Sequence, residues 1–115
     1  MPYTLIEEKT YSVSSEKLTQ AVLGAIDGLE GSILKHEPEN GRIEAKFDKT
    51  ILGQVLGDRS QIEIDLVAVS PEETKITATV YPINPIGQKL QFGARKGISR
   101  TVMTWFFAHV EHRLK

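Results

Sequence analysis

Apolar and polar side chains alternate with a period of two residues along most of the sequence between 61 and 81. The apolar members of this pattern are Ile62, Ile64, Leu66, Ala68, Ile76, Ala78 and Val80. The alternation is interrupted at residues 70–73, where a serine, a proline and two glutamates are typical of a turn. Because successive side chains of a strand lie on opposite faces of a sheet, the pattern predicts two half-buried antiparallel strands.

Three earlier segments show strand-like patterns, at residues 3–11, 32–36 and 42–48. Between the last two, Glu39, Asn40 and Gly41 are typical of a hairpin turn. We therefore expect about five strands, most of them joined as hairpins and hence antiparallel.

Two segments have the period of a helix instead. Ser14 and Ser15 offer an N-cap to the first helix, and Gly31 predicts its end. The second helix is predicted to begin between residues 94 and 99 and to continue towards the C-terminus. The apolar stripes comprise Leu18, Ala21, Val22, Ala25, Ile26 and Leu29 in the first helix and Ile98, Val102, Trp105, Phe106, Val110 and Leu114 in the second.

The predicted order of elements is β-α-β-β-β-β-α. This order indicates one α+β domain over residues 1–115, in which an antiparallel sheet of about five strands has both helices packed on one face. The opposite face is expected to be solvated, with opposite charges on neighbouring strands.

This element order resembles two groups of known proteins, although no motif is shared with either. One is the helix-grip, START-like superfamily that includes the birch-pollen allergens; the other is the TATA-box-binding-protein-like fold. The first resemblance implies an apolar ligand held between the sheet and the long helix. The second would imply DNA binding on the exposed sheet face, which requires cations and apolar wedges. Since Glu44, Glu63 and Asp65 are expected on that face, we predict no nucleic-acid partner.

Composition narrows the classes of protein further. A net charge of -1 and a pI near 6.3 provide no overall field that would attract nucleic acid or an anionic membrane. No apolar run approaches the ~20 residues that span a bilayer, and the N-terminus lacks a signal-peptide pattern. Cysteine is absent, which excludes thiolate catalysis and fits a reducing compartment. We expect a soluble cytoplasmic protein without a cofactor or a membrane partner.

Residues 82–101 bridge the last strand and the second helix, and they hold two prolines, three glycines and four cations. Glycines let a backbone approach a ligand closely, and cations near a helix N-terminus favour an anion. The segment is therefore either an exposed connection or an anion-binding site. The candidate ligand-binding residues are Lys89, Phe92, Arg95, Lys96, Arg100 and Trp105. The last of these also fits the apolar core of the helix.

The segment between the predicted strands ending at residue 48 and beginning at residue 61 is unusually apolar. Such a segment either packs within its own chain or exposes a patch that a second subunit or a ligand would cover. The aliphatic residues concerned are Ile51, Leu52, Val55 and Leu56. We expect a two-fold homodimer whose interface is formed by these residues or by an exposed edge of the sheet.

Metal and catalytic motifs are weak in this sequence. His109 and His112 would lie on one side of the second helix, but no third ligand accompanies them, so we predict no metal site. No nucleophile with its base is evident. We interpret the chain as a non-catalytic binding domain that uses the groove between the sheet and the C-terminal helix for a small apolar or anionic ligand or a protein partner. The alternative is an enzyme that holds a phosphorylated or carboxylated small molecule through the basic residues 89–100.

Overall fold

A computed structural model describes residues 3–90, 93–94 and 97–115. The elements are β1 (Leu5–Tyr11), α1 (Ser15–Gly28), β2 (Ser32–Glu37), β3 (Arg42–Phe47), β4 (Thr50–Ile51), β5 (Gln54–Val55), β6 (Arg59–Ser70), β7 (Glu73–Ile83) and α2 (Ile98–Leu114), with a short 3-10 turn at Pro38–Asn40. Within these ranges, neither helix has the length and apolar character that spanning a bilayer would require.

Five of the strands form one antiparallel sheet in the order β1-β7-β6-β3-β2. The predicted α+β class, with antiparallel strands and two helices, is confirmed. β1 lies beside β7, so the first strand of the chain pairs with the last. β4 and β5 form a separate two-stranded hairpin between β3 and β6 in the chain.

Both helices cover the same face of the sheet, which we call the inner face. The period-two alternation places one apolar set of each central strand on this face, where it meets the apolar stripes of α1 and α2. The largest fully buried side chains are Phe47, Phe106, Leu18, Ile26, Leu29, Ile43, Ile51, Ile62, Ile64, Ile76, Met103 and Val22. The core is therefore a packed layer between the sheet and the helices.

The two helices approach each other closely at two glycines of α1. A Cβ atom on Gly24 would lie 2.5 Å from Nε of Arg113, and one on Gly28 would lie 3.1 Å from Nδ1 of His109. Burial lowers the pKa of His109, as do the charges of Arg113 and His112. His109 thus packs at the helix crossing. Within the described ranges, no three histidine, aspartate or glutamate side chains are grouped as a metal site.

Polar contacts hold α2 against β1. Glu111 accepts hydrogen bonds from Oη of Tyr11 at 2.7 Å and from Nζ of Lys9 at 3.2 Å, and these bonds lower the pKa of its carboxyl. In the first turn of α2, Arg100 forms an ion pair with Glu7. Because these pairs are partly exposed, each contributes on the order of 0.2–1 kcal/mol and mainly sets the position of the helix.

Candidate functional site

The chain turns back on itself immediately after β7. The backbone N–H of Leu90 donates to the carbonyl of Pro82 at 3.0 Å, and Ile83 forms a β-bridge with Lys89. Residues 82–90 therefore extend the sheet as a tight hairpin, which we call the 82–90 hairpin. The first half of the predicted connection is ordered by these contacts.

Asn84 organises the tip of the 82–90 hairpin. Its Oδ1 atom accepts hydrogen bonds from the backbone N–H of Ile86 at 3.0 Å and of Gln88 at 2.9 Å. The backbone N–H of Asn84 donates to the backbone carbonyl of Gln88 at 2.8 Å. An asparagine side chain that satisfies backbone donors in this way is a common means of stabilising a turn. The contacts keep Pro85, Ile86 and Gly87 together beside the sheet.

A cleft of about 480 Å³ lies on the outer face of the sheet, the face opposite the helices, where β3, β6 and β7 end beside the 82–90 hairpin. This volume lies within the usual range of small-molecule sites, roughly 300–1,000 Å³. We call it the end cleft. It is lined by Glu30, Ser32, Leu34, Lys46, Phe47, Asp48, Arg59, Gln61, Ile83, Pro85, Ile86 and Gly87.

Apolar side chains form the floor and two walls of the end cleft. Ile83 is nearly fully buried at its floor, whereas Ile86 is 78% exposed on the 82–90 hairpin. Leu34 lies on the far side, within a bulge where the register of β2 on β3 shifts. A bulge bends a strand and reorients its side chains, so the edge strand contributes an apolar wall.

Polar groups reach the end cleft from the outer positions of β2, β3 and β6. The strand register aligns Ser32 with Lys46 and Lys46 with Gln61, so the three residues form one row across the sheet. Each of these side chains can donate hydrogen bonds. Towards the sheet end, Nε of Arg59 lies 3.8 Å from Oδ1 of Asp48. No ion pair joins Lys46 to another residue of the described ranges.

Backbone strain is present beside the end cleft. In the described part of the chain, Glu30 with φ 64° and Leu52 with φ 49° are the non-glycine residues in the left-handed region. They contact each other, because the backbone N–H of Leu52 donates to Oε1 of Glu30 at 2.9 Å. Each such residue costs roughly 1–2 kcal/mol, and strain of this kind clusters at binding sites. The contact ties the β4–β5 hairpin to one wall of the cleft.

An ion network crosses the outer face next to the end cleft. Arg42 donates to Glu44 at 3.1 Å, to Glu63 at 3.1 Å and to Asp65 at 2.7 Å. Burial opposes the charge of Arg42, but the hydrogen bonds to Asp65 and Glu44 outweigh burial and raise the pKa of the guanidinium. Tyr81 donates to Glu63 at 2.6 Å, and burial together with this bond raises the pKa of the phenol.

The ligand-binding residues predicted from sequence are not brought together in one described site. Nζ of Lys89 lies 4.4 Å from the ring centroid of Tyr81 on the outer face, a cation–π contact. Arg100 lies on α2 in its ion pair with Glu7, and Trp105 packs against the core with part of its ring exposed. Phe92, Arg95 and Lys96 lie outside the described residues.

The predicted interface residues divide into two pairs. Ile51 is buried in the core and Leu56 packs against it, so both contribute to the interior of their own chain. Leu52 is 53% exposed and Val55 is 78% exposed. The apolar surface available to a second subunit on this hairpin is therefore Leu52 and Val55.

The space between the sheet and α2, where the resemblance implies a ligand, is occupied by core side chains in the described part of the chain. One polar group lies among them. The hydroxyl of Ser60, aligned with Phe47 and Pro82 in the sheet, is fully buried and has no hydrogen-bond partner among the described residues.

Most residues of the end cleft were not recognised as site residues from the sequence. Lys46 was expected only as one charge of a solvated face, and Arg59 and Gln61 carried no signal of their own. The Pro-Ile-Gly run at residues 85–87 was included in the predicted connection without a partner surface. Strand alternation could place Lys46 and Gln61 on one face, but the fold was needed to bring the 82–90 hairpin beside them.

Comparison with known proteins shows which solved structures share this architecture. No family model matches the sequence, and no curated protein matches it. Similar solved structures include a protein from Mesorhizobium loti, with a TM-score of 0.62, 18% identity and 96% of each chain covered. Another is Ara h 8.0201, with a TM-score of 0.58, 16% identity and 97% of each chain covered. These are helix-grip proteins. The chain has the helix-grip fold.

A third helix-grip neighbour is an HSP90 activator from Plasmodium falciparum, with a TM-score of 0.54 and 16% identity, in which the match covers 97% of this chain and 96% of that chain. At these identities the likeness establishes the fold alone. The helix-grip resemblance seen in the element order is thereby confirmed. The function has to be argued from the end cleft and the surfaces around it.

Proposed function

We propose that the chain is a non-catalytic domain that binds a small molecule in the end cleft. The observation that carries this proposal is the cleft itself, which has a volume of about 480 Å³ and combines apolar walls with a row of hydrogen-bond donors. Ligand sites are usually concave and combine apolar side chains with convergent polar groups; the end cleft has both, with a larger polar share than is usual.

Binding is favoured over catalysis by the chemistry of the lining. The lining residue that carries a hydroxyl group is Ser32, and in the described residues Ser32 forms no hydrogen bond with a base. An activated nucleophile requires such a base within reach. The alternative, an enzyme that holds its substrate through residues 89–100, depends on Arg95 and Lys96, which lie outside the described residues.

The proposed site differs from the groove expected between the sheet and the C-terminal helix. On the described inner face a ligand would have to displace closely packed core side chains, which costs several kcal/mol for each large residue moved. On the outer face a ligand displaces water. We therefore assign a small-molecule ligand to the end cleft.

Nuclear magnetic resonance titration tests the proposal directly. Two probes of one shape suffice, the anion 1-naphthoate and its neutral amide 1-naphthamide. We expect at least one of them to shift the backbone amide signals of residues 32–34, 46–48, 59–61, 83, 84, 86 and 87; residue 85 is a proline and has no amide proton. Shifts confined to α2, or no shift with either probe at millimolar concentration, would contradict binding in the end cleft.

A matched pair of variants sharpens the test. Ile86→Ala removes apolar contact area at the rim and should weaken probe binding about fivefold, the effect of roughly 1 kcal/mol of lost burial. Ile6→Ala serves as the control, because Ile6 is 66% exposed on the outer face of β1 and does not line the cleft. Equal effects of the two substitutions would argue against the assigned position.

A homodimer through the β4–β5 hairpin is a second part of the proposal. Its support is the exposure of Leu52 and Val55 at the tip. Because only two side chains per subunit are available, we expect weak association, with a Kd on the order of 0.1 mM. The double variant Leu52→Asp and Val55→Asp should sediment as a monomer at concentrations where the native chain dimerises. The control variant Ile6→Asp should dimerise as the native chain does. A native chain that is monomeric at every concentration would disprove the dimer.

Cellular location and nucleic-acid binding stay as predictions from the sequence. The absence of cysteine and the near-neutral net charge support a reducing, cytoplasmic setting and no nucleic-acid partner. Fractionation of cells that produce the chain, followed by immunoblotting, would test the location; recovery in the exported fraction would contradict it.

A further inference from the structure

We infer that the ligand of the end cleft is an amphipathic organic anion, whose carboxylate or equivalent acid group is bound by Lys46 and whose apolar body lies against the 82–90 hairpin. This inference rests on the proposed binding function and specifies the chemical class of the ligand. Three observations carry it: the absence of an ion pair between Lys46 and any described residue, the donor row that includes Lys46, and the position of the apolar walls.

The cleft has two carboxylates and two cations, and the two cations differ in their partners. Oε1 of Glu30 accepts the N–H of Leu52, which directs one carboxylate oxygen towards the β4–β5 hairpin. Oδ1 of Asp48 accepts the N–H of Lys49 at 2.7 Å and faces Arg59 at 3.8 Å. Arg59 thus faces a carboxylate, whereas Lys46 has no ion pair with a described residue. An arriving anion would meet a cation that no described carboxylate holds in an ion pair.

The donor row makes Lys46 a recognition group rather than an isolated surface charge. Its neighbours across the sheet are Ser32 on β2 and Gln61 on β6. The backbones of adjacent strands lie about 5 Å apart, so the hydroxyl, ammonium and amide of this row start from neighbouring positions from which one acid group can be reached. Hydrogen bonds between charged donors and acid groups are stronger than those between neutral groups.

The remaining volume requires an apolar body on the ligand. Pro85 and Ile86 form one wall and Leu34 forms the other, and their exposed surfaces are in water when the cleft is empty. An inorganic phosphate would leave these surfaces uncovered. An acid joined to an aromatic or branched aliphatic group would cover them and bind Lys46 at the same time, which explains why the two kinds of lining occur together.

The two walls are held in place before a ligand arrives. Asn84 fixes the hairpin tip through five hydrogen bonds, and the contact between Glu30 and Leu52 holds two strained residues at the opposite rim. A preformed site loses little conformational entropy when it binds. We therefore expect a rigid acid to bind better than a flexible chain of the same size.

Isothermal titration of the two naphthalene probes tests the inference. The native chain should bind 1-naphthoate about tenfold more tightly than 1-naphthamide, and the affinity for the anion should fall as salt is added. Lys46→Gln should remove this preference by weakening 1-naphthoate about tenfold while leaving 1-naphthamide unchanged. Lys46→Arg, which keeps the positive charge, should retain most of the preference for 1-naphthoate.

Lys35→Gln is the matched control, because Lys35 lies on the outer position of β2 aligned with Glu44 and does not line the cleft. It changes the net charge equally and should leave both affinities unaltered. If both probes bind the native chain equally and salt has no effect, the anion inference is overturned while binding in the end cleft stands. If neither probe binds, both the inference and the proposed function fail. An equal loss of affinity for 1-naphthoate in Lys35→Gln and Lys46→Gln would mean that the preference for the anion depends only on net charge. That result would also overturn the role of Lys46.

Discussion

Replacing Gly41 by alanine is expected to lower the free energy of unfolding by about 3 kcal/mol. Gly41 has φ 64°, and a Cβ atom on it would lie only 2.2 Å from the backbone carbonyl oxygen of Leu66. That residue also donates its N–H to the carbonyl of Gly41 at 2.8 Å. The substitution therefore adds left-handed strain, displaces β6 and weakens this hydrogen bond. Urea denaturation of the two proteins measures the difference.

Gly53 offers a control that separates strain from collision. Its φ is 82°, but no atom lies within 4 Å of a Cβ built on it. Gly53→Ala should cost about 1 kcal/mol, because only the conformational strain applies. Equal costs at the two positions would show that the close approach between the β2–β3 turn and β6 is wrong.

Replacing Phe106 by alanine is expected to cost about 4 kcal/mol of stability. The side chain is 0% exposed in the centre of α2, and its ring lies edge-on to that of Phe107 with 5.2 Å between centroids. Removing it deletes apolar contacts with the sheet, leaves a cavity and removes one aromatic pair. Chemical denaturation monitored by circular dichroism gives the value.

Thr104 lies two residues earlier on the same helix and is exposed. Thr104→Ala should change stability by less than about 0.5 kcal/mol, since it alters neither the core nor a cap. A loss below about 1 kcal/mol for Phe106→Ala would mean that α2 does not pack on the sheet through this face.

Most of the end cleft lies apart from the layer that stabilises the fold, although Phe47 belongs to both. Lys46, Gln61 and Ile86 are on the outer side, whereas Phe106 and its neighbours are between the sheet and the helices. Substitutions in the cleft should therefore change ligand affinity with little change in stability, and core substitutions should do the reverse. A change in ligand affinity caused by a substitution in the cleft can therefore be attributed to binding rather than to unfolding.

Local sequence patterns predicted the elements of the fold because their physical causes are local. The alternation from Ile62 to Val80 follows from the geometry of a strand with one buried face, and the stripe from Leu18 to Leu29 follows from the pitch of a helix. The same patterns indicated which strands form hairpins, since the turns at residues 39–41 and 70–73 join neighbours in the chain. Element order, antiparallel pairing and the resemblance to helix-grip proteins could all be inferred.

Contacts between distant residues needed the folded chain. Alternation assigns Lys46 to a face of the sheet but does not say which strand lies beside it or what covers it. The pairing of β1 with β7, the bulge at Leu34 and the return of the 82–90 hairpin depend on packing and on hydrogen bonds such as those of Asn84. The same reason explains why Ile51 is buried and Leu52 is exposed, although the two residues are adjacent in the sequence and both apolar. The left-handed backbone at Leu52, held by Glu30 from another part of the chain, accompanies the exposure of one and the burial of the other.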